Sequence, residues 1–92
     1  MASGKINKSS SFFVKVGEYA VNSGYFVVED NRIRTDSSVF VQLVRGSNEW
    51  QTWSPYPRID ANGAVLICLR DSNGVPPTNG LKFNANILVY TH

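Results

Sequence analysis

Side chains that can act as acids, bases or nucleophiles are few in this sequence and lie in unfavourable places. The sole histidine, His92, is the last of the 92 residues, and chain ends are seldom held firmly enough to position a catalytic base. The sole cysteine, Cys68, lies within the apolar run 64–69, where a thiol usually packs as a small hydrophobic group. We therefore expect a protein that is not an enzyme.

The acidic residues favour local backbone roles over metal binding. The aspartates with turn-like neighbours are Asp30, Asp36, Asp60 and Asp71. In such places Asp usually caps or bonds the nearby backbone. Residues 71–74 resemble the start of a calcium loop but lack the later ligands and the closing glutamate. One cysteine and one histidine cannot build the usual zinc frameworks, so no metal and no cofactor are predicted.

One segment, residues 48–58, has the composition of a binding site. It places aromatic rings and a guanidinium among polar amides and stiffening prolines, and its candidate ligand-binding residues are Trp50, Trp53, Tyr56 and Arg58. Aromatic faces stack on sugar rings or on partner surfaces, while the polar groups supply directional hydrogen bonds. Trp50 and Trp53 would point to opposite faces of an extended strand. The alternative is that both rings pack over the end of the fold or into a subunit interface.

Composition and charge exclude several classes of protein. With 42% hydrophobic and 17% charged residues, the chain is expected to fold rather than stay disordered. The net charge is only +2, and the basic residues are scattered apart from the pairs Lys5 and Lys8, and Arg32 and Arg34, which argues against a nucleic-acid partner. The apolar runs are strand-sized, so no membrane insertion is expected. Residues 1–11 lack the apolar stretch of a signal peptide, which favours synthesis in the cytoplasm and a soluble product.

Short apolar runs separated by turn residues predict an all-β fold. The runs cover residues 12–16, 19–21, 25–28, 38–44, 64–69 and 81–90. Strands at intervals of about ten residues are typical of a sandwich or barrel, and no window has a helical period with capping signals. We expect one domain over residues 12–92, a small and mainly antiparallel, jelly-roll-like β-sandwich. Residues 1–11, rich in Gly, Ser, Lys and Asn, are predicted to be a flexible arm or a junction.

Several of the predicted strands are apolar on both faces. In residues 81–90 one face carries only apolar residues, while the other begins with Lys82, Asn84 and Asn86 and becomes apolar at Leu88 and Tyr90. Residues 39–44 and 64–69 show the same property more strongly. A sheet with one solvated face should alternate cleanly between apolar and polar residues. A chain of this size has little capacity to bury two sheet faces, so we expect the protein to form a homo-oligomer.

From Gly24 onward the order of features resembles small β-sandwich modules at the tips of phage tail fibres and related virion appendages. The similarity is carried by residues 28–41, by the glycine-initiated run 63–69 and by the aromatic-Asn strand 81–90. Residues 50–58 depart from that pattern as an insertion. The resemblance implies a tight homotrimer that attaches virions to bacterial surfaces, and no receptor-binding residue can be carried over.

The expected function is therefore that of a viral structural module at a fibre or appendage tip. Its expected location is the virion, and its expected partners are copies of itself, other virion proteins and a host surface glycan or protein. Two alternatives stay open. One is a capsid or baseplate decoration protein that binds only virion proteins, and the other is a stand-alone carbohydrate-binding module.

Overall fold

Six strands, joined by turns and loops, make up the computed structural model of this chain, which describes residues 11–44 and 52–91. They are β1 (Ser11–Ala20), β2 (Tyr25–Glu29), β3 (Ser38–Leu43), β4 (Ser54–Ala61), β5 (Ala64–Arg70) and β6 (Lys82–Thr91). These ranges contain no helix, which confirms the predicted all-β class. The predicted arm lies outside the described residues apart from Ser11, which begins β1.

The strands form two three-stranded antiparallel sheets that pack against each other. Sheet A has the order β1-β6-β3 and sheet B has the order β2-β5-β4. Across the two layers β3 lies next to β4, and β1 lies next to β2. The last strand is therefore the centre of one sheet and the fifth strand is the centre of the other. This arrangement confirms the predicted sandwich-like pairing of antiparallel sheets.

The core lies between the two central strands. Alternate residues of each strand point inward, so β5 buries Val65, Ile67 and Leu69 while β6 buries every second residue from Phe83 to Val89. Fully buried side chains from other elements complete this core, namely Val21, Val28 and Ile33. Ile33 lies outside any strand, yet its backbone is held by hydrogen bonds to Asp30 and Gly63. Each sheet thus has one face that is already covered by the other sheet.

The two ends of the sandwich are formed by different parts of the chain. At one end, which we call the loop end, β3 finishes and β4 starts, and the β1–β2 turn is hydrogen-bonded to the β5–β6 loop. Those bonds run from Val21 N to Leu81 O and from Gly80 N to Val21 O, at 2.8 and 2.7 Å. At the other end, the terminal end, β1 starts and β6 finishes, and the side chains of Ser11 and Thr91 are 2.7 Å apart.

Two strand boundaries differ from those predicted. The sequence predicted a break at Gly17, but β1 continues through it, because Gly17 pairs with Ala85 in the β1–β6 ladder. The ring of Tyr19 lies over this glycine, where an added Cβ would be only 3.3 Å from the Tyr19 hydroxyl. The glycine therefore makes room for an aromatic ring on the same strand and does not end the strand.

The sequence predicted no strand between residues 44 and 64, and this is wrong from Ser54 onward. Residues 54–61 form β4, although two of them, Pro55 and Pro57, have no backbone N–H to donate. Proline is tolerated there because β4 is an edge strand, paired with β5 on one side only. The pairing is irregular between Arg58 and Ala61, where the register shifts.

Gly24 is a position where the fold requires glycine. Its φ is +86°, in the left-handed region, and an added Cβ would lie 2.7 Å from Nη1 of Arg70 and 3.0 Å from Cβ of Pro76. Arg70 Nη1 also donates to the carbonyl of Leu69 at 2.7 Å, which fixes the guanidinium beside the turn. Gly24 therefore has both a conformational and a steric reason to lack a side chain.

Gly24→Ala should destabilise the protein more than Gly74→Ala. Gly74 has a similar φ of +80° but no described atom within 4 Å of an added Cβ. Both variants place an alanine in the left-handed backbone region, which costs about 1–2 kcal/mol, and only Gly24→Ala also produces a steric clash. Urea unfolding of the two variants measures the difference, and equal losses of unfolding free energy would contradict the steric argument.

Candidate functional site

The four predicted ligand-binding residues do not form one site in the part of the chain that the structure describes. Trp50 lies outside the described residues. Trp53 precedes β4 and is half-buried against the core, whereas Tyr56 and Arg58 are exposed on the outer face of β4. Because side chains alternate along a strand, Trp53 is on the inward side and the other two are on the outward side. The structure therefore separates the predicted cluster into a packing residue and two surface residues.

Trp53 carries an unusual polar atom. Its Nε1 is buried, and no described residue accepts a hydrogen bond from it. An indole N–H buried without an acceptor costs on the order of 1–3 kcal/mol. Any acceptor must therefore come from outside the described residues, either from another part of the chain or from a bound molecule.

The outer face of sheet B is partly apolar and is flanked by charge. Tyr25, Cys68 and Tyr56 lie side by side across its three strands. The Cys68 thiol is 7% exposed, which confirms the prediction that it packs as a buried hydrophobic group. Beyond this row, Arg58 Nε donates to Asp60 Oδ1 at 3.0 Å, with both side chains largely exposed. An exposed pair of this kind contributes little to stability.

The outer face of sheet A is the most apolar surface among the described residues. Three rows of outward side chains run from β1 through β6 to β3: Phe12, Tyr90 and Ser38; Val14, Leu88 and Phe40; Val16, Asn86 and Gln42. We call six of these side chains the apolar face: Phe12, Val14, Val16, Phe40, Leu88 and Tyr90. The Tyr90 ring contacts the other two rings, with its centroid 5.7 Å from that of Phe12 and 6.0 Å from that of Phe40.

The apolar face is large and exposed. Phe12, Val16 and Phe40 keep 63%, 73% and 58% of their surfaces accessible. An aromatic residue carries about 150–250 Å² of surface, so Phe12, Phe40 and Tyr90, the last of which is 39% exposed, together expose on the order of 300 Å². Single exposed hydrophobic residues are ordinary, but a contiguous patch of several hundred Å² usually marks an interaction site. This face is therefore the part of the described chain best suited to meet a partner.

A shallow hollow lies on the β3 side of the apolar face. Its volume is about 210 Å³, and it is lined by Phe40, Val41, Gln42, Asn86 and Leu88. The walls are mainly apolar, and the two amides close one end. A second concavity of about 180 Å³ lies between β3 and β4, where Thr35, Ser37 and Ile59 are among its lining residues. That second concavity is lined by no acid, base or nucleophilic thiol.

Beyond the amide row the same outer face becomes charged. Glu18 lies beside Asn84, and Ala20 beside Lys82, in the two rows nearest the loop end. The face therefore passes from aromatic and aliphatic side chains at the terminal end, through amides, to charged groups at the loop end. This confirms the predicted change of polarity along residues 81–90.

Two of the aspartates that were predicted to bond the nearby backbone, Asp71 and Asp30, do so. Asp71 Oδ1 accepts from the backbone N–H groups of Asn73 and Val75, both at 2.9 Å, as expected of an aspartate in a turn. Asp30 accepts from the backbone N–H of Arg32 at 2.9 Å. Asp60 lies in β4 and not in the predicted turn. The described residues contain no cluster of three or more potential metal ligands.

Asp30 is the centre of the strongest electrostatic cluster. Its two carboxylate oxygens accept from Nε and Nη2 of Arg32 at 2.9 and 2.8 Å, and Lys15 Nζ is 3.5 Å away. The Arg32 guanidinium also lies 3.7 Å from the centroid of the Phe13 ring. The hydrogen bonds from Arg32 hold the pKa of Asp30 well below its usual range. This cluster covers the inner side of β1 where β2 does not reach.

The sequence interpretation missed the part of the apolar face that β1 contributes. Phe12, Val14 and Val16 alternate with Phe13 and Lys15, so the sequence did not show which face of this strand points to solvent. The available signal was the large apolar residue at every second position from Phe12 to Val16. It was obscured because Lys15, which looks like a solvent-facing residue, points inward to Asp30.

Comparison of the chain with known protein families, with curated proteins and with solved structures finds no match. Among the described residues, no helix is long and apolar enough to cross a membrane. The resemblance to virion appendages therefore stays a prediction.

Asp30→Asn should lower the free energy of unfolding at pH 7 by about 1–3 kcal/mol, the usual contribution of hydrogen bonds to a charged group. The folded pKa of Asp30 lies below the value of ~3.9 in an unfolded chain. The stabilisation is therefore present above about pH 4 and is lost as the pH falls towards the folded pKa. Denaturant titrations at pH 7, 4 and 2 should show the difference between variant and parent shrinking.

A matched control is Asp60→Asn, which removes an exposed carboxylate that is also paired with an arginine two residues away. We expect little change in stability at any of the three pH values, because exposed ion pairs contribute little. A loss in Asp30→Asn that stays constant down to pH 2 would contradict the role given to the Asp30 charge.

Proposed function

We propose that this chain is a structural module that assembles with copies of itself through the apolar face of sheet A. The observation that carries the proposal is the exposure of Phe12, Phe40 and Val16 on one continuous sheet face. Covering on the order of 300 Å² of ring surface would contribute about 7 kcal/mol per copy before the costs of association. No residue of the apolar face is charged, so a partner need not neutralise anything in order to cover it.

We also propose that the module belongs to a virion, at or near the tip of a fibre or appendage, as the resemblance implies. The assembly we favour is a homotrimer. A face three strands wide measures roughly 14 Å across, and three such faces can close around a common axis as the sides of a prism. Its further partners would be other virion proteins and a host surface glycan or protein.

The strand pairing supports a reduced jelly roll as the finer description of the fold. β1 pairs with β6 and β2 pairs with β5, while β3 lies next to β4 across the two sheets. The chain thus folds as one long hairpin, with β1–β3 as one arm and β4–β6 as the other. Along each arm, successive strands lie alternately in the two sheets. Jelly rolls of this kind are common in viral capsid and lectin domains.

Sedimentation equilibrium tests the assembly. We expect the parent protein to be oligomeric at micromolar concentration and Phe40→Asp to be monomeric but folded, because a carboxylate would have to be desolvated in the contact. The control is Val27→Asp, which places the same charge at an exposed valine on the outer face of sheet B. A monomeric parent protein, or equal dissociation of both variants, would overturn the assignment of this face.

A second function, glycan binding on the outer face of β4, is favoured by one observation, the exposed ring of Tyr56 and the exposed guanidinium of Arg58 on the same face of that strand. Trp53 packs on the inward side and is not part of this surface. This is the receptor-binding role expected of a fibre tip or of a carbohydrate-binding module. Without it, the chain would be a decoration protein that binds only virion proteins.

A glycan array separates these alternatives. Binding by the parent protein that is lost in Tyr56→Ala or Arg58→Ala would support recognition at β4, since both side chains are exposed and their loss should not unfold the chain. Trp53→Phe is the control on the inward side, because it keeps an aromatic ring against the core, removes the N–H together with the smaller ring that carries it, and should leave binding at the outer face of β4 intact. Absence of glycan binding by an oligomeric parent protein would favour the decoration role.

A further inference from the structure

We infer that the copies associate in parallel, around an axis that runs along the strands, with the β1 side of one apolar face against the β3 side of the next. This inference rests on the proposed assembly and specifies its geometry. It follows from two properties of the outer face of sheet A: the change of polarity along the strands, and the difference in shape between the two sides.

The change of polarity favours the parallel arrangement. In that arrangement each row of one copy lies at the same height as the corresponding row of the next copy. Apolar rows then meet apolar rows, and the row with Asn86 and Gln42 meets another amide row, where each amide can both donate and accept. The row with Lys82 stays at the solvated loop end in every copy.

An antiparallel arrangement covers the face less well. If the copies overlap along their whole length, Lys82 comes to lie over the row of Phe12 and Tyr90, and Glu18 over the row of Val14 and Leu88, where desolvation of these charged groups is costly. If the copies slide until only the three rows of the apolar face overlap, the amides of Asn86 and Gln42 come to lie over the rings of Phe12 and Tyr90, where they meet no amide partner.

The difference in shape identifies which strands meet. The β1 side presents Val14 and Val16, which are 51% and 73% exposed. The β3 side presents the hollow lined by Phe40, Gln42, Asn86 and Leu88. In the register of sheet A this hollow lies in the same two rows as the two valines. A parallel neighbour therefore brings its valines to the height of the hollow, and the two sides of one face complement each other.

This geometry gives the two ends of the sandwich different roles in the assembly. In every copy β1 starts at the terminal end, and β3 passes to β4 at the loop end. Parallel association would therefore gather all the loop ends, including Trp53, at one pole of the oligomer. A module attached at the opposite pole would present several copies of the same loops in one direction.

Disulfide trapping between Val14→Cys and Phe40→Cys tests the geometry, in a Cys68→Ala background that leaves only the introduced thiols. Within one chain the two positions are both in register with Leu88 and separated by β6, roughly 10 Å apart. That exceeds the reach of a disulfide, about 7 Å between Cα atoms, so any bond joining the two positions must link different copies. The bond forms when the two thiols give up two protons and two electrons to added oxidised glutathione, which is reduced to two molecules of glutathione.

The expected result is a covalent heterodimer when the two single variants are mixed and oxidised, and covalent oligomers from the double variant. Neither single variant alone should cross-link. Self-cross-linking of Val14→Cys alone would overturn the parallel geometry, because only an antiparallel contact brings β1 against β1. Val75→Cys, at an exposed loop position, reports the background of random collision.

A second pair keeps the test decisive if loss of the Phe40 ring weakens the assembly. Val16→Cys and Gln42→Cys occupy the adjacent row, both in register with Asn86, and leave all the aromatic rings in place. An oligomeric protein in which neither mixed pair cross-links would refute the inferred geometry while leaving the proposed assembly intact. A monomeric parent protein in sedimentation would refute both.

Discussion

The pairing of β6 with a strand on each side is what the rest of the structure depends on. One set of its side chains, from Phe83 to Val89, fills the core, and the other set, from Lys82 to Tyr90, forms the middle of the outer face. Because the side-chain period of a strand is two, a slip of one residue would exchange these two sets. The core and the apolar face are thus fixed by the same register, and neither can be changed without the other.

Sheet A needs a further support because β2 is only half as long as β1. The part of β1 that extends beyond β2 is covered by the segment after β2, where Asp30 binds Arg32 and Lys15 and where Arg32 lies over Phe13. Polar and cationic groups therefore cover this part of β1, whereas β2 covers the rest. The outward residues of the same stretch of β1, Phe12 and Val14, depend on this support for their orientation.

Much of the fold could be predicted from the sequence, because strands and turns leave local signals. The turn at Asn62 and Gly63 and the two-sided apolar pattern of β5 and β6 both correspond to observed features. What could not be predicted depended on contacts between distant residues. Gly17 does not end a strand because it pairs with Ala85, and the prolines of β4 are compatible with a strand only because that strand lies at an edge.

The candidate site was less predictable than the fold. Composition identified Trp53, Tyr56 and Arg58 as a group, but the alternation of side chains along β4 divides that group between two sides. The apolar face, in contrast, combines residues from three strands that are far apart in the sequence. Its extent is visible only once the order β1-β6-β3 is known, since no single strand carries more than three of its six side chains.

The two prolines of β4 disfavour aggregation through the edge of sheet B. An exposed sheet edge is a template on which further chains can add strands without limit, as in amyloid. Pro55 and Pro57 remove donors from the free edge of sheet B, and the inward-pointing Lys15 places a charge in the β1 edge of sheet A, a known device against edge-to-edge growth. With the β1 and β4 edges disfavoured, a partner that covers the apolar face of sheet A does so without adding strands at those two edges.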